Sequence, residues 1–115
     1  MPGGAVDEIA VERVLRIVEL VPAARVVAYG TVGAVAGCSP RYVGRVMREF
    51  GSNVTWWRVV NAAGALPAEI FARARIHWDD EGTPHSHERV ERTAFLGVDE
   101  LDQLWRTHGI EPKCG

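Results

Sequence analysis

Three arginines at helical spacing surround a glycine near the middle of the chain. Arg41, Arg45 and Arg48 recur at i, i+4 and i+7, and Gly44 lies between them. Guanidinium groups on one face of a helix can pair with successive phosphates of a nucleic-acid backbone. Because glycine has no side chain, Gly44 would let a bulky ligand come close to the helix. The alternative is a solvated arginine face, and spacing alone does not decide between the two.

The residues around these arginines predict a helix-turn-helix. Ser39 is a favoured N-cap, and Pro40 is favoured at the first helical position. A short helix over residues 30–36, ended by Gly37, precedes this turn. The second helix is the candidate recognition element. Its buried stripe is predicted to contain Val43, Val46, Met47 and Phe50.

Hydrophobic periodicity predicts three further helices, over about residues 8–21, 68–78 and 99–106. Asp7 is the predicted cap of the first, and Pro22 ends it. The residues expected to face the core from these helices are Val11, Val14, Leu15, Val18, Ile70, Phe71, Ala74, Leu101, Leu104 and Trp105.

The remaining segments predict a small β wing. Residues 25–29 are β-prone and favour a short strand, and residues 54–61 are predicted to be extended. Residues 62–64 form the predicted turn of the wing, and residues 65–67 its return strand. The predicted fold class is therefore mainly α with a small β wing, a winged helix-turn-helix. Two further segments are a polar loop over 79–87 and an extended segment over 90–98.

Composition and charge narrow the class of protein. The chain has 115 residues, of which 47% are hydrophobic and 24% charged, as expected of a single globular domain. Its net charge is −2, but the distribution is uneven. Five arginines and one acid lie between Arg25 and Arg58, whereas eight acids and two arginines lie between Asp79 and Asp102. This polarity suits a protein with one anion-facing side.

Cysteine usage and the chain start favour a cytoplasmic chain, which we expect to be a monomer. Cys38 and Cys114 are expected to be reduced, and neither a signal peptide nor a membrane span is predicted. Cys38 has no histidine near it in the sequence, so catalysis there is not expected. His85 and His87 match no strong zinc spacing and are assigned to a solvated loop. We therefore expect no metal and no cofactor.

Four segments occur in the order found in a known family. They are Val-Ala-Tyr-Gly at 27–30, Pro-Arg-Tyr-Val-Gly-Arg-Val-Met-Arg at 40–48, Trp-Arg-Val-Val-Asn-Ala-Ala-Gly at 57–64, and Asp-Glu-Gly at 80–82. Together they resemble the DNA-binding domain of O6-alkylguanine-DNA alkyltransferases. The resemblance covers about residues 8–82 of a single domain over 1–115, and implies that residues 83–115 are an acidic C-terminal extension.

The chain departs from those repair proteins at the nucleophile. They carry Pro-Cys-His-Arg-Val, whose cysteine takes the alkyl group, whereas this chain has Thr-Trp-Trp-Arg-Val at 55–59. Tryptophan at the cysteine position, Trp56, resembles the alkyltransferase-like proteins, which bind alkylated DNA without repairing it. The resemblance implies a non-enzymatic sensor that flips O6-alkylguanine out of duplex DNA and marks it for nucleotide excision repair. Nucleotide excision repair proteins would then be further partners.

The resemblance also implies roles for individual residues. Arg41 would fill the space left by the flipped base, Tyr29 would rotate the target phosphate, and Trp56 would form a flat wall for the base. The turn before Arg41 is about two residues shorter than the family pattern, which would move Arg41 along the groove. We also predict phosphate contacts from Arg45, Arg48 and Arg58. The full DNA-binding set is Tyr29, Thr31, Ser39, Arg41, Tyr42, Gly44, Arg45 and Arg48, and the lesion-pocket set is Tyr29, Trp56, Arg58, Val59 and Asn61.

Two other functions are compatible with the pattern. A winged-helix transcriptional regulator would read undamaged DNA in the major groove with the same arginine helix. An active alkyltransferase is a third reading, but Trp56 offers no nucleophilic atom, and Trp57 offers no base in place of the family's histidine.

Overall fold

A computed structural model describes residues 8–108, which form five α-helices and two short strands. The predicted cap Asp7 and the second cysteine, Cys114, lie outside the described residues. The elements in chain order are α1 (Glu8–Val18), β1 (Val27–Ala28), α2 (Tyr29–Ala36), α3 (Pro40–Phe50), β2 (Val59–Val60), α4 (Ala68–Glu81) and α5 (Val98–His108). Three 3-10 turns lie between them, at Gly51–Asn53, Trp56–Arg58 and Arg92–Ala94.

The predicted helix-turn-helix is formed by α2 and α3. Gly37 ends α2 in the left-handed conformation, with φ of 82°, and its N–H donates to the Gly33 carbonyl. Ser39 caps α3, because its Oγ accepts the Tyr42 N–H at 3.1 Å. A Cβ on Gly33 would overlap the Cys38 carbonyl oxygen. The two helices can therefore meet across such a short turn only because position 33 has no side chain.

The first of two apolar clusters joins α1, α2, α3 and α5. Two details differ from the sequence prediction. Ile17 is fully buried on α1, whereas Leu15 only packs against the edge of the cluster. Phe50 is 43% exposed because α3 ends there and the chain turns away at Gly51. The buried members are Val11, Val14, Ile17, Val18, Val21, Val27, Val32, Ala36, Val43, Val46, Val59, Leu96 and Leu101.

The short sheet is parallel and connects distant parts of the chain. Val27 of β1 pairs with Val59 of β2. On the other side of β1, Val26 forms an isolated parallel bridge in which its N–H donates to the Ala94 carbonyl at 2.9 Å and its carbonyl accepts the Leu96 N–H at 2.8 Å. The segment after residue 83 is thus bonded to the centre of the fold.

The wing is a tight turn rather than a pair of strands. The segment predicted to be extended over 54–61 instead contains the 3-10 turn Trp56–Arg58, and only β2 is a strand. Asn61 Oδ1 accepts the N–H groups of Ala63 and Ala65, both at 2.9 Å. Because this side chain satisfies the backbone of the turn, the chain reverses without a hairpin ladder.

Helix α4 is longer than predicted and supplies the centre of the second apolar cluster. It continues past residue 78 to Glu81, and Gly82 ends it with φ of 78°. The predicted polar loop therefore begins only after the helix. Trp78 is fully buried, and its indole N–H donates to the Trp57 carbonyl at 2.8 Å. Across residues 8–108, no helix has the length and apolar character needed to cross a membrane.

An ion pair between Arg58 and Glu81 ties three segments together. Arg58 donates to both Glu81 oxygens, at 2.5 and 3.0 Å, and to the Val21 carbonyl at 2.7 Å. The two side chains are only 15% and 11% exposed. Burial alone would raise the pKa of Glu81, but hydrogen bonds from Arg58, Trp57 and the Ala24 N–H hold this pKa below its ordinary value. The carboxylate is therefore charged in the folded protein at neutral pH.

We expect Glu81→Gln to lower the free energy of unfolding at pH 7 by about 3 kcal/mol, because it leaves the Arg58 charge buried without its partner. The lowered pKa makes the contribution of Glu81 complete above its ordinary value of 4.5 and lost as the pH falls through the folded-state value. The difference between wild type and variant should therefore shrink in acid. Urea unfolding at a series of pH values measures both effects.

The control variant for this measurement is Glu12→Gln. Glu12 pairs with Arg16 at 3.4 Å on the surface of α1, where the glutamate side chain is 68% exposed. Its loss should change the free energy of unfolding by less than about 1 kcal/mol. Equal effects of the two substitutions would contradict a structural role for the Arg58–Glu81 pair.

Candidate nucleic-acid interface

The predicted arginine face lies on the surface of α3. Arg41 and Arg48 are exposed, and Arg45 is partly exposed beside Glu49, which accepts a hydrogen bond from its Nε at 3.2 Å. Among residues 8–108, apart from Gly44 itself, its chain neighbours and the adjacent backbone of α3, nothing lies within 4 Å of the place where a Cβ would stand on Gly44. The face therefore presents positive charge around an open patch of helix backbone, as the spacing predicts.

A pocket of about 530 Å³ adjoins this face. Gly44 and Arg48 of α3 form part of its lining, so the pocket and the arginine face share residues. Three members of the predicted lesion-pocket set converge here, namely Tyr29, Trp56 and Val59. The other residues lining the pocket are Met47, Gly51, Ser52, Leu66, Pro67, Glu69, Ile70 and Arg73.

Trp56 is half-buried in the 3-10 turn and forms one wall of the pocket. Its ring meets the rings of Trp57 and His77 nearly at right angles, at centroid distances of 5.6 and 5.7 Å. The Arg73 guanidinium lies 5.5 Å from the Trp56 ring centroid. Trp56 therefore contributes its ring to the pocket lining, with the Arg73 guanidinium over the ring. A tryptophan ring can stack against a flat ligand.

Trp57 lies outside the pocket lining and connects Trp56 to the Arg58–Glu81 ion pair. Its ring stacks on His77 at 3.7 Å with an angle of 7° between the planes. Its indole N–H donates to Glu81 Oε2 at 3.0 Å. Both tryptophan side chains are half-buried. In a strand, neighbouring side chains would point to opposite faces, but this segment is a 3-10 turn.

Tyr29 is the first residue of α2 and lines the pocket. Burial raises the pKa of the Tyr29 phenol, and the positive charge of Arg48 acts in the opposite direction with a smaller effect. The phenol is therefore neutral at physiological pH. It can donate one hydrogen bond and accept others at the point where the pocket meets α3.

Two predicted pocket residues have other roles in the structure. Arg58 is committed to Glu81 and Val21, so it is not placed to contact phosphates as predicted. Asn61 is exposed and holds the turn after β2, and neither residue lines the pocket. Both were assigned to the pocket from the resemblance. The Arg58 side chain instead bonds to the distant Glu81 and Val21, and the Asn61 side chain bonds to the nearby backbone of Ala63 and Ala65.

The rest of the predicted DNA-binding set is near α3 but outside the pocket lining. Ser39 is exposed and serves as the cap of α3, while Thr31 and Tyr42 are partly buried. Tyr42 packs against the first apolar cluster. Arg41 lies two helical turns before Arg48, at the N-terminal end of α3.

The pocket wall formed by α4 was not predicted from the sequence. Ile70 was predicted to face the core, and Arg73 and Glu69 carried no prediction, yet all three line the pocket. The available signal was the periodicity of α4, which shows that Ile70 faces inward but not that a cavity lies there.

The remaining candidate chemistry lies elsewhere. His85 Nε2 is 2.7 Å from an Asp79 oxygen and Nδ1 is 2.7 Å from the Ser86 carbonyl, so this histidine is bonded within its own loop. Within the described part of the chain, no group of three or more His, Cys, Asp or Glu side chains is arranged to hold a metal ion. Cys38 lies in the turn between α2 and α3 and does not line the pocket.

Comparison with known proteins found one matching family and solved structures with a similar fold. The family described as the DNA-binding domain of 6-O-methylguanine DNA methyltransferase matches residues 10–83. Atl1 from S. pombe, in a crystal structure with damaged DNA containing O6-carboxymethylguanine, has a similar fold, with 22% sequence identity and a TM-score of 0.61. That match covers 84% of this chain and 96% of Atl1. A second structure, of S. pombe ATL in complex with DNA, matches with 21% identity, a TM-score of 0.61 and the same coverage.

No curated protein matches the chain. The family match nevertheless extends over most of the chain, from α1 to the residue after the Gly82 cap, and includes the arginine helix and Trp56. It confirms the resemblance found in the sequence segments. The chain therefore belongs to the family of the 6-O-methylguanine DNA methyltransferase DNA-binding domain.

Proposed function

We propose that this chain binds O6-alkylguanine in duplex DNA, turns the damaged base out of the stack and holds it without removing the alkyl group. The observation that carries the proposal is the pocket beside the arginine face, with Trp56 as its wall. In the sequence pattern of the family's repair proteins, this position holds the cysteine that accepts the alkyl group. Here it holds a ring.

Helix α3 would supply the contact with the DNA backbone. Arg41 and Arg48 are exposed on one face, and Gly44 leaves the helix backbone open between them. Phosphate contacts of this kind provide affinity that does not depend on base sequence and weakens with salt. Arg41, at the start of the helix, is the residue that would enter the duplex as the base leaves.

The pocket has the size and chemistry for a flipped base. Its volume of about 530 Å³ is within the usual range for sites that hold small molecules. Trp56 offers a stacking surface, and the apolar side chains of Met47, Leu66 and Ile70 offer contact for an alkyl group. Flipping costs a few kcal/mol, and less for a poorly paired base such as O6-alkylguanine. Selectivity for the lesion would come from the lower cost of flipping it and from the apolar contact with its alkyl group.

Holding the base without repair would make the protein a marker of damage. Trp56 has no nucleophilic atom, and Cys38 lies outside the pocket lining. The lesion would therefore survive binding and require excision by other proteins, for which nucleotide excision repair is our proposal. A transcriptional regulator that reads undamaged DNA is the alternative. Such a protein contacts the edges of stacked bases, and this does not require an aromatic pocket beside the recognition helix.

Trp56 should determine how strongly the protein prefers the lesion. Trp56→Ala should weaken binding to duplex DNA containing O6-methylguanine by about 1–3 kcal/mol, the value of one base–aromatic stack. Binding to the matched undamaged duplex should change little, because the α3 arginines remain. Fluorescence anisotropy titrations with the two duplexes measure the difference.

Trp56→Phe is the matched control, since it keeps a ring at the wall and should retain most of the preference. The proposal fails if wild type binds the two duplexes equally. It also fails if Trp56→Ala weakens both duplexes by the same factor while the protein remains folded.

We expect no transfer of the alkyl group from DNA to the protein. After incubation with duplex DNA containing O6-methylguanine, the intact mass of the protein should be unchanged and the lesion should remain in the DNA. Mass spectrometry of both components gives the answer, with an active alkyltransferase on the same duplex as positive control. A stoichiometric gain equal to one methyl group would show that the chain is an enzyme.

A side chain at position 44 should raise the stability of the protein and weaken its binding to DNA. Gly44→Ala should raise the free energy of unfolding by about 0.5–1 kcal/mol, because alanine is favoured over glycine inside a helix and the added carbon meets open space. The same methyl group should weaken binding to both duplexes by keeping the DNA backbone away from α3. Gly44→Leu should weaken binding further. Tighter binding by either variant would exclude a close approach of DNA at this position.

A further inference from the structure

We propose that His77 is a positioning residue, which holds the Trp56 ring at the angle at which it forms the pocket wall. The inference rests on the proposed function, in which Trp56 receives the flipped base. His77 lies on α4 and is half-buried, and it does not line the pocket itself. Its influence on a bound base would therefore pass through Trp56.

His77 and Trp57 are stacked face to face, and we call this pair the aromatic stack. Their rings are 3.7 Å apart and nearly parallel. Trp56 stands at 87° to Trp57 and at 81° to His77, with both centroids less than 6 Å away. Perpendicular contacts of this kind are favourable arrangements for aromatic rings. Trp56 thus stands nearly perpendicular to both rings of this stack.

The aromatic stack is itself held in place by contacts on several sides. Glu81 accepts the Trp57 indole N–H at 3.0 Å, and the Trp57 carbonyl accepts the Trp78 indole N–H at 2.8 Å. The Arg58 guanidinium lies 5.8 Å from the Trp57 ring centroid. Trp57 therefore has little freedom, and His77 stacks on a ring whose position is already determined.

Arg73 bounds Trp56 from another side. Its guanidinium lies 5.5 Å from the Trp56 centroid. Arg73, His77 and Glu81 follow one another at intervals of four residues, so one face of α4 runs along the whole 3-10 turn. Arg73 contacts the Trp56 ring, Glu81 accepts the Trp57 indole N–H, and the Arg58 guanidinium lies over the Trp57 ring.

Without His77, the half-buried Trp56 ring would keep only one of its two perpendicular neighbours. The backbone of the turn is held by the Trp56 N–H bond to the Val54 carbonyl at 2.7 Å, but this bond does not set the side-chain torsions. The ring could then rotate into the pocket and occupy the space meant for the base. Loss of His77 should therefore reduce lesion binding while the fold is retained.

The test compares His77→Ala with His77→Phe, which keeps a flat ring on Trp57. His77→Ala should weaken binding to the O6-methylguanine duplex by roughly 2- to 12-fold, the equivalent of one aromatic pair, and leave the undamaged duplex nearly unaffected. His77→Phe should restore lesion binding close to the wild-type value. His87→Ala, which removes an exposed histidine of the 83–90 loop, is the matched control and should change neither.

A second measurement follows the ring without DNA. In protein labelled with 5-fluorotryptophan, the 19F resonance of Trp56 is identified by its absence in Trp56→Phe. His77→Ala should shift and broaden this resonance, and His77→Phe should return it close to the wild-type position.

The two measurements separate the inference from the function on which it rests. If wild type has no preference for the lesion, the proposed function fails, while a shifted Trp56 resonance in His77→Ala would still support the positioning of the ring. If wild type prefers the lesion and His77→Ala keeps both the preference and the resonance, the inference is overturned. It is also overturned if His77→Phe behaves like His77→Ala, because the flat ring would then not be the feature that matters.

Discussion

The Arg58–Glu81 ion pair is the contact on which both the fold and the pocket depend. Glu81 ends α4, Arg58 ends the 3-10 turn, and the same network reaches the loop before β1 through Val21 and Ala24. Ala24 has a φ of 73°, which is unusual for a residue other than glycine, and its N–H bonds to Glu81. One carboxylate thus fixes the end of a helix, a strained loop residue and the turn that carries the pocket wall.

Local signals in the sequence were enough to predict the helix-turn-helix. A cap at Ser39, a helix end at Gly37 and apolar residues at helical spacing act within a few residues of one another, so no distant contact is needed to anticipate α2 and α3. The wing was predicted less well. The same extended residues can lead into a pair of strands or into a turn. This chain forms the turn, because the Asn61 side chain bonds to its backbone and β2 pairs in parallel with β1.

The candidate site shows the same division. Tyr29, Trp56 and Val59 were placed in the pocket from the family pattern, and the structure brings them together. Arg58 was misassigned because its partner is 23 residues away, and a charged side chain does not reveal from sequence whether it faces a phosphate or a carboxylate. The α4 wall was missed because periodicity gives the inward face of a helix but not the shape of the space it faces.

The bond between Val26 and the segment at 94–96 has a consequence for how the chain folds. Arg25 donates to the Ala94 carbonyl across a separation of 69 residues, so this contact closes a loop that contains the whole interface. Contacts of high sequence separation form slowly, because the entropy of loop closure comes before the gain in packing. On the ribosome, α1, α2 and α3 emerge early, but their shared core still lacks Leu96 and Leu101. Folding of the part that carries α3 would therefore be completed only after Leu96 and Leu101 have been synthesised.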